Sequence, residues 1–132
     1  MEKYSENKIG ESKKSYDLDK RLYDFALKIV NLVRMLPKET AGWELGKQLL
    51  KAGTSIVANY EEAKGAFSRN DFIYKISISF KEARETNLWL RLIRDSNLVP
   101  RSKIEDLIKE SGEIRNILGK SVQTAKKNKS QN

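Results

Sequence analysis

Four stretches of this chain repeat their apolar residues at alternating steps of three and four, and that spacing constrains its fold more than any other feature. Leu18, Leu22, Phe25, Ile29, Leu32 and Leu36 make the first seam, and Leu45, Leu49, Ala52 and Ile56 the second. Phe72, Ile76, Ser79, Ala83, Thr86, Leu90 and Ile93 make the third. Ile104, Leu107, Ser111, Ile114, Leu118, Val122 and Ala125 make the fourth. Such steps return to the same side of an α-helix, so each stretch presents one stripe to a shared core. Stop signals fall between the seams. Pro37 closes the first, since the residue before proline is pushed out of helical geometry. Gly65 suits a helix C-terminus, and Ser68 with Asp71 resembles a capping box with the shorter acid. Pro100 breaks the third helix, and Ser102 with Glu105 forms an S-x-x-E signal for the fourth. Short links between four amphipathic helices imply an all-α, antiparallel up-down-up-down four-helix bundle. Its expected span is residues 17–125, after a flexible polar lead at 1–16 and before a flexible basic tail at 126–132. Gly46 and Gly53 lie seven apart in the second helix. Each costs about 1 kcal/mol against alanine, so either another helix comes close there or the cost is simply tolerated.

Composition narrows the chemistry. The 132 residues include no histidine and no cysteine, which removes the commonest general base, the favourite transition-metal ligand, disulfides and thiolate nucleophiles together. The expectation is a protein that is not an enzyme and needs no cofactor. No window approaches the roughly 18 apolar residues of a membrane span, and "MEKYSENKIGESKKSYD" lacks the apolar segment of a secretory signal. The cytoplasm is the expected compartment, with no membrane partner.

Residues 75–95, "KISISFKEARETNLWLRLIRD", carry more apolar residues than one stripe holds. Tyr74, Ile78, Leu88, Trp89 and Leu92 cluster away from the third seam, interrupted by Lys81 and Glu85. Burying one such side chain is worth roughly 1.5–3 kcal/mol, so something is expected to cover them. A neighbouring helix of the same bundle is one candidate, and a second copy of the chain is the other, because aromatic residues are enriched at interfaces. Tyr23, Ala26, Val30 and Val33 add surplus apolar surface beside the first seam, which favours an oligomer.

Asn59 and Glu62 on the second helix, and Glu82 and Glu85 on the third, repeat a spacing of three. Antiparallel packing through the 65–68 turn could bring the two sets together as a structural polar network, paired with Lys75, Lys81 or Arg84 and fixing the alignment of the helices. Ordinary solvated pairs within each helix are the simpler alternative. A di-iron site of the bundle type needs Glu-x-x-His, and without histidine no metal is expected.

The formal charge is +8. Residues 98–132 hold eight basic and four acidic side chains, and residues 68–97 hold six and four. Arg84, Arg91 and Arg94 share a flank of the third helix, while Lys103, Lys109, Arg115, Lys120, Lys126 and Lys127 follow on the fourth. These are the candidate nucleic-acid contacts, neutralising phosphates with little sequence readout. No aromatic platform, glycine-rich phosphate loop or zinc spacing accompanies them. A charge that serves solubility alone is the competing explanation.

Within residues 52–93 the chain also carries a recognisable pattern. Ser55, Ile56, Asn59 and Glu62 are followed by Asp71, Phe72, Lys75, Ile78, Lys81, Glu82, Ala83, Glu85, Thr86, Trp89 and Leu90. This resembles the 23S rRNA-intervening-sequence proteins, whose motif runs S-I-x-x-N-x-x-E, then D-F-x-x-K-x-x-I-x-x-K-E-A-x-E-T, then W-L. Tyr60 and Glu61 depart from it, since small or aliphatic residues are usual there. The resemblance implies a four-helix bundle that assembles into a homopentamer. A similar fold occurs in the accessory protein of diversity-generating retroelements, a basic pentameric barrel that binds nucleic acid and partners a reverse transcriptase. The function expected is a non-enzymatic, homo-oligomeric bundle binding RNA, DNA or a ribonucleoprotein through a basic surface. A protein-interaction scaffold with no nucleic-acid role is the alternative.

Overall fold

The computed structural model describes the backbone of residues 12–130 and the side chains of residues 17–128. Among the described residues there are four α-helices and no strand: α1 (Ser12–Met35), α2 (Thr40–Lys64), α3 (Arg69–Asp95) and α4 (Glu105–Ser130). They run up-down-up-down as an antiparallel bundle. Helical backbone thus starts ahead of Asp17 and continues beyond Ala125. Of the expected lead and tail, residues 1–11 and 131–132 lie outside the described residues.

The seams read from the sequence form the core. Phe25, Ile29, Leu49, Ile56, Ile76, Leu90, Ile93, Ile104, Ile114 and Leu118 are all buried. Polar members of the seams bond locally, as buried polar groups must. Ser79 Oγ donates to the Ile56 carbonyl of α2 at 2.7 Å, and Thr86 Oγ1 donates to the Glu82 carbonyl one turn back at 2.7 Å. Tyr60 is buried as well, with the Lys64 ammonium 6.0 Å from its ring centre.

The links follow local chemistry. α1 stops at Met35, two residues before Pro37. Ser68 Oγ accepts from the Asp71 backbone N–H at 3.0 Å, capping α3 as its sequence signal implies. The other serine signal is not used that way. Ser102 sits inside a 3₁₀ turn, Arg101–Lys103, whose backbone bonds are Lys103 to Pro100 (2.9 Å) and Ile104 to Arg101 (3.1 Å). α4 therefore starts at Glu105, too late for Ser102 to cap it. α3 ends earlier than Pro100 requires. Asn97 takes a left-handed conformation (φ 58°), and Leu98 N–H reaches back to the Ile93 carbonyl at 3.3 Å.

The helices meet in two ways. α2 packs closely on both α1 and α3, whereas α1 and α4 stand further apart and are bridged by ion pairs. Arg21 pairs with Glu113 at 2.6 Å and Glu110 at 3.4 Å, and Lys28 with Glu110 at 3.2 Å. On the α1–α2 side Lys64 pairs with Asp19. Of the two explanations for Gly53, close approach is the one observed: a methyl added there would lie 2.9 Å from Ile29 Cγ2 and 3.1 Å from its Cγ1.

That contact gives a test. Gly53→Ala gains about 1 kcal/mol of helix propensity but drives a methyl into a buried, β-branched Ile29, and overpacking of this kind costs about 1–3 kcal/mol. Thermal melts are expected to show net destabilisation. Gly112→Ala meets only the flexible end of Arg115, at 3.8 Å, and is expected to stabilise by up to about 1 kcal/mol. Equal stabilisation by both would contradict the close α1–α2 contact.

Candidate functional site

Two basic residues of α3, Arg84 and Arg91, lie along its contact with α4. Asn87 of α3 donates through Nδ2 to Ser111 Oγ of α4 at 2.9 Å, and Phe80 lies against Gly119, where an added methyl would come within 3.0 Å of its ring. These two contacts fix the antiparallel register, and Arg84 and Arg115 then fall at the same level. Arg84 stacks its guanidinium over Phe80, 5.9 Å from the ring centre. Arg91 donates from Nε to Asn87 Oδ1 at 2.9 Å, so a buried amide orients an exposed cation. Ser111 Oγ in turn donates to the Ile108 carbonyl at 2.8 Å. Lys109, Lys120, Lys126 and Lys127 of α4 are exposed and Arg115 is half-buried, while Lys103, expected on the fourth helix, is exposed in the 3₁₀ turn before it.

Arg94 does not belong with this set. It donates to Asp95 at 2.9 and 3.4 Å and to Glu105 at 3.4 Å. The bond to Asp95 leads the causes that raise its pKa further, and the same bond holds the Asp95 carboxyl below its usual range. Its charge is spent within the protein. Sequence spacing grouped it with Arg84 and Arg91 because it could not foresee that α4 brings Glu105 alongside.

The apolar surplus divides into two faces. On α3, Tyr74 is 62% exposed and Leu88 and Leu92 are each 40% exposed. Ile78 is half-buried, and Trp89 is half-buried against the core of its own bundle. Of the two coverings expected for this cluster, the chain's own bundle supplies one for part of the indole and leaves Tyr74, Leu88 and Leu92 exposed. The second face lies between α1 and α2. There Tyr23 (59% exposed), Leu27, Trp43 (57%) and Leu50 stand out, and a groove of about 590 Å³ runs past Val33, Leu36, Pro37, Trp43, Gly46 and Leu50. Arg34, Lys38 and Lys47 rim it, together with Glu44. Of the residues singled out on the first helix, Tyr23 is exposed, Val30 and Val33 are half-buried, and Ala26 is buried. Trp43 and Leu50 went unrecognised. Their spacing of seven, off the second seam, was the available signal.

The four polar residues expected to form one network are not joined. Asn59 Nδ2 donates to Ser55 of its own helix at 2.9 Å. Glu62 accepts from Lys75 Nζ across the α2–α3 turn at 3.0 Å, a bond that raises the lysine pKa. Glu82 sits apart, its carboxyl pushed up first by burial and then by Glu85, with Lys51 and Lys81 opposing. Antiparallel packing places Ile56, not Asn59, opposite Ser79, so the two acidic pairs lie at different levels. Among the described residues no cluster of carboxylates has the arrangement of a metal site. A second cleft, of about 270 Å³ between α1 and α4, is lined by Asp17, Lys20, Arg21, Asp24, Lys28 and Glu110. Its charges are largely paired with one another. No described helix is long and apolar enough to cross a membrane.

With this geometry in place, comparison with known proteins is decisive on one point. Residues 14–120 match the family model of the 23S rRNA-intervening sequence proteins. The chain belongs to that family. Among solved structures, it is similar to a protein of unknown function from the S23 ribosomal protein family of Bacteroides thetaiotaomicron, at 39% identity and a TM-score of 0.73. The match covers 79% of this chain and 96% of the other. No curated protein matches. In this family member Tyr60, which departs from the motif, is accommodated as a core residue.

The Asn87 bridge links core to surface and can be measured. Asn87→Ala removes the amide that joins Ser111 to Arg91, and is expected to lower stability by about 1–3 kcal/mol in denaturant titration. Arg91→Ala, at an exposed end of the same chain of bonds, is expected to cost no more than about 1 kcal/mol. The reverse ranking would place the weight of the network on its surface end.

Proposed function

We propose that this protein acts without catalysis, as a self-assembling bundle that binds nucleic acid through the phosphate backbone, using the α3–α4 side. The observation that carries this reading is an asymmetry of charge neutralisation. The cations of α1 that face the core edge are spent on acids, Arg21 and Lys28 on Glu110 and Glu113. By contrast Lys103, Lys109, Arg115, Lys120 and Lys127 form no ion pair within 4 Å among the described residues. Cations left unpaired and mostly exposed at this density attract a polyanion and gain from counterion release. The absence of histidine and cysteine from the sequence supports a role without catalysis. The family's name refers to 23S rRNA, and its Bacteroides relative's to ribosomal proteins, which favours RNA as the polyanion.

The test is fluorescence anisotropy with a labelled single-stranded RNA of mixed sequence, across a salt series starting near 50 mM. Binding is expected at the low end, weakening linearly in a log–log plot, with a slope of about 0.7 per phosphate contact. Replacing Lys109, Lys120 and Lys127 together by glutamine should make that slope shallower by about 2. Arg94→Gln should leave it unchanged. No binding at 50 mM salt contradicts the reading.

A further inference from the structure

One chain of hydrogen bonds in this bundle runs outward from the core and ends on a cation. Asn87, only 6% exposed, sits at the contact of α3 with α4. Its Nδ2 donates to Ser111 Oγ, and its Oδ1 accepts from Arg91 Nε, each at 2.9 Å. Among the described residues Arg91 makes no other hydrogen bond, so both of its terminal nitrogens are left for a partner from outside.

Sequence steps place the neighbours of this bridge. On α3, Phe80, Arg84, Asn87 and Arg91 run in steps of four, three and four, which keeps them on one face. On α4, Ile108, Gly112, Arg115 and Gly119 repeat the same steps. The two faces meet, with Phe80 against Gly119 at one level and Asn87 against the Ile108 carbonyl, at 3.4 Å, at the other. Side chains on a helix lean toward its N-terminus. Arg115 does so: a methyl on Gly112, the residue after Ser111, would find Arg115 Nη2 at 3.8 Å. Arg91 leans the same way onto Asn87. Because the helices are antiparallel, the two guanidiniums approach the Asn87–Ser111 bridge from opposite walls. Arg84 leans onto Phe80, about 10 Å further along the axis, seven residues at the helical rise. None of these three arginines forms an ion pair within 4 Å among the described residues. The acids next to them in the chain are taken, Asp95 by Arg94 and Glu113 by Arg21. Two guanidiniums directed to one place with no acid between them repel each other until an anion joins them, and their planar forks match phosphate oxygens.

We propose that Arg91 and Arg115 form a clamp for one backbone phosphate of RNA, with Asn87 as the positioning residue that sets the Arg91 fork and Arg84 holding a further phosphate of the same strand. This rests on the nucleic-acid reading above and goes past it, because affinity then depends on fixed guanidinium geometry at the α3–α4 seam as well as on charge.

Charge-conserving substitution separates geometry from charge in the same anisotropy salt series. Arg91→Lys/Arg115→Lys keeps both charges and removes both forks. Its RNA binding is expected to be about tenfold weaker, as for loss of a charge-assisted hydrogen bond, with the salt slope unchanged. Arg94→Lys, which alters a guanidinium already spent on Asp95 and Glu105, should bind like wild type. Asn87→Ala should weaken binding roughly threefold or more in the presence of Arg91, and no further once Arg91 is alanine. Circular dichroism melts check folding. Should Asn87→Ala fail to fold, nitrogen-edited NMR of the wild type reads the same bond, and the Arg91 Nε–H signal is expected to shift on adding RNA. Failure of the wild type to bind RNA defeats the nucleic-acid reading itself. Wild-type binding that Arg91→Lys/Arg115→Lys matches leaves that reading standing and refutes the clamp, and equal weakening by Arg94→Lys refutes it too. Equal weakening by Asn87→Ala with and without Arg91, or an Arg91 signal that RNA does not move, overturns the positioning role of the amide.

Discussion

A bundle of four helices has one core, and each helix can turn only one stripe toward it. Everything else follows from how this chain spends its apolar residues under that limit. The seams of α1, α2, α3 and α4 fill the core with Phe25, Ile56, Leu90, Ile114 and their neighbours. Small residues let α2 sit close to both of its neighbours, with Gly53 under Ile29 on one side and Ser79 bonded to Ile56 on the other. That closeness has a consequence at the surface. It leaves Trp43 and Leu50 beside α1 and the Tyr74–Leu92 ridge of α3 outside the core, too far round their helices for any stripe to include them. Each such residue, if covered, would contribute roughly 1.5–3 kcal/mol.

Charge is partitioned along the same lines. Where α1 and α4 stand further apart, Arg21, Lys28, Glu110 and Glu113 bridge them electrostatically. Exposed pairs of this kind are individually worth about 1 kcal/mol or less, so they align the helices more than they stabilise them. Lys109, Arg115, Lys120 and Lys127 of α4 form no ion pair within 4 Å among the described residues. The molecule thus has an apolar sector around α2 and a cationic sector around α4, on opposite corners of one bundle. A particle assembled through the first sector would present the second to solvent, which makes self-assembly and polyanion binding compatible uses of one small fold.

Much of this architecture was legible in the residues. Four-three spacing identified all four helices, Pro37 marked the end of the first, and Ser68 marked the start of the third at the observed residue. Local signals failed where tertiary contacts or competing turns decided. Ser102 carried the right motif, but the chain after Pro100 tightened into a 3₁₀ turn. Asn97 ended α3 in a left-handed conformation that Pro100 had masked. Arg94 looked like a member of a basic flank until α4 supplied Glu105. The polar set of Asn59, Glu62, Glu82 and Glu85 needed the true α2–α3 register, which pairs Lys75 with Glu62 and leaves Glu82 beside Glu85. The groove was the hardest feature to foresee, because it exists only in the relative rotation of α1 and α2. Trp43 and Val33 share no periodicity in the sequence.

The proposed self-assembly requires another copy of the chain to cover the apolar sector around α2. Its two tryptophans report on this directly, since Trp43 lies on the groove and Trp89 on the ridge. The decisive measurement is acrylamide quenching of the wild-type protein at micromolar concentration and again after serial dilution. Self-assembly predicts indoles shielded from the quencher at high concentration that become accessible as the protein is diluted. Ready quenching of an indole more than half exposed, unchanged at every concentration, would contradict it.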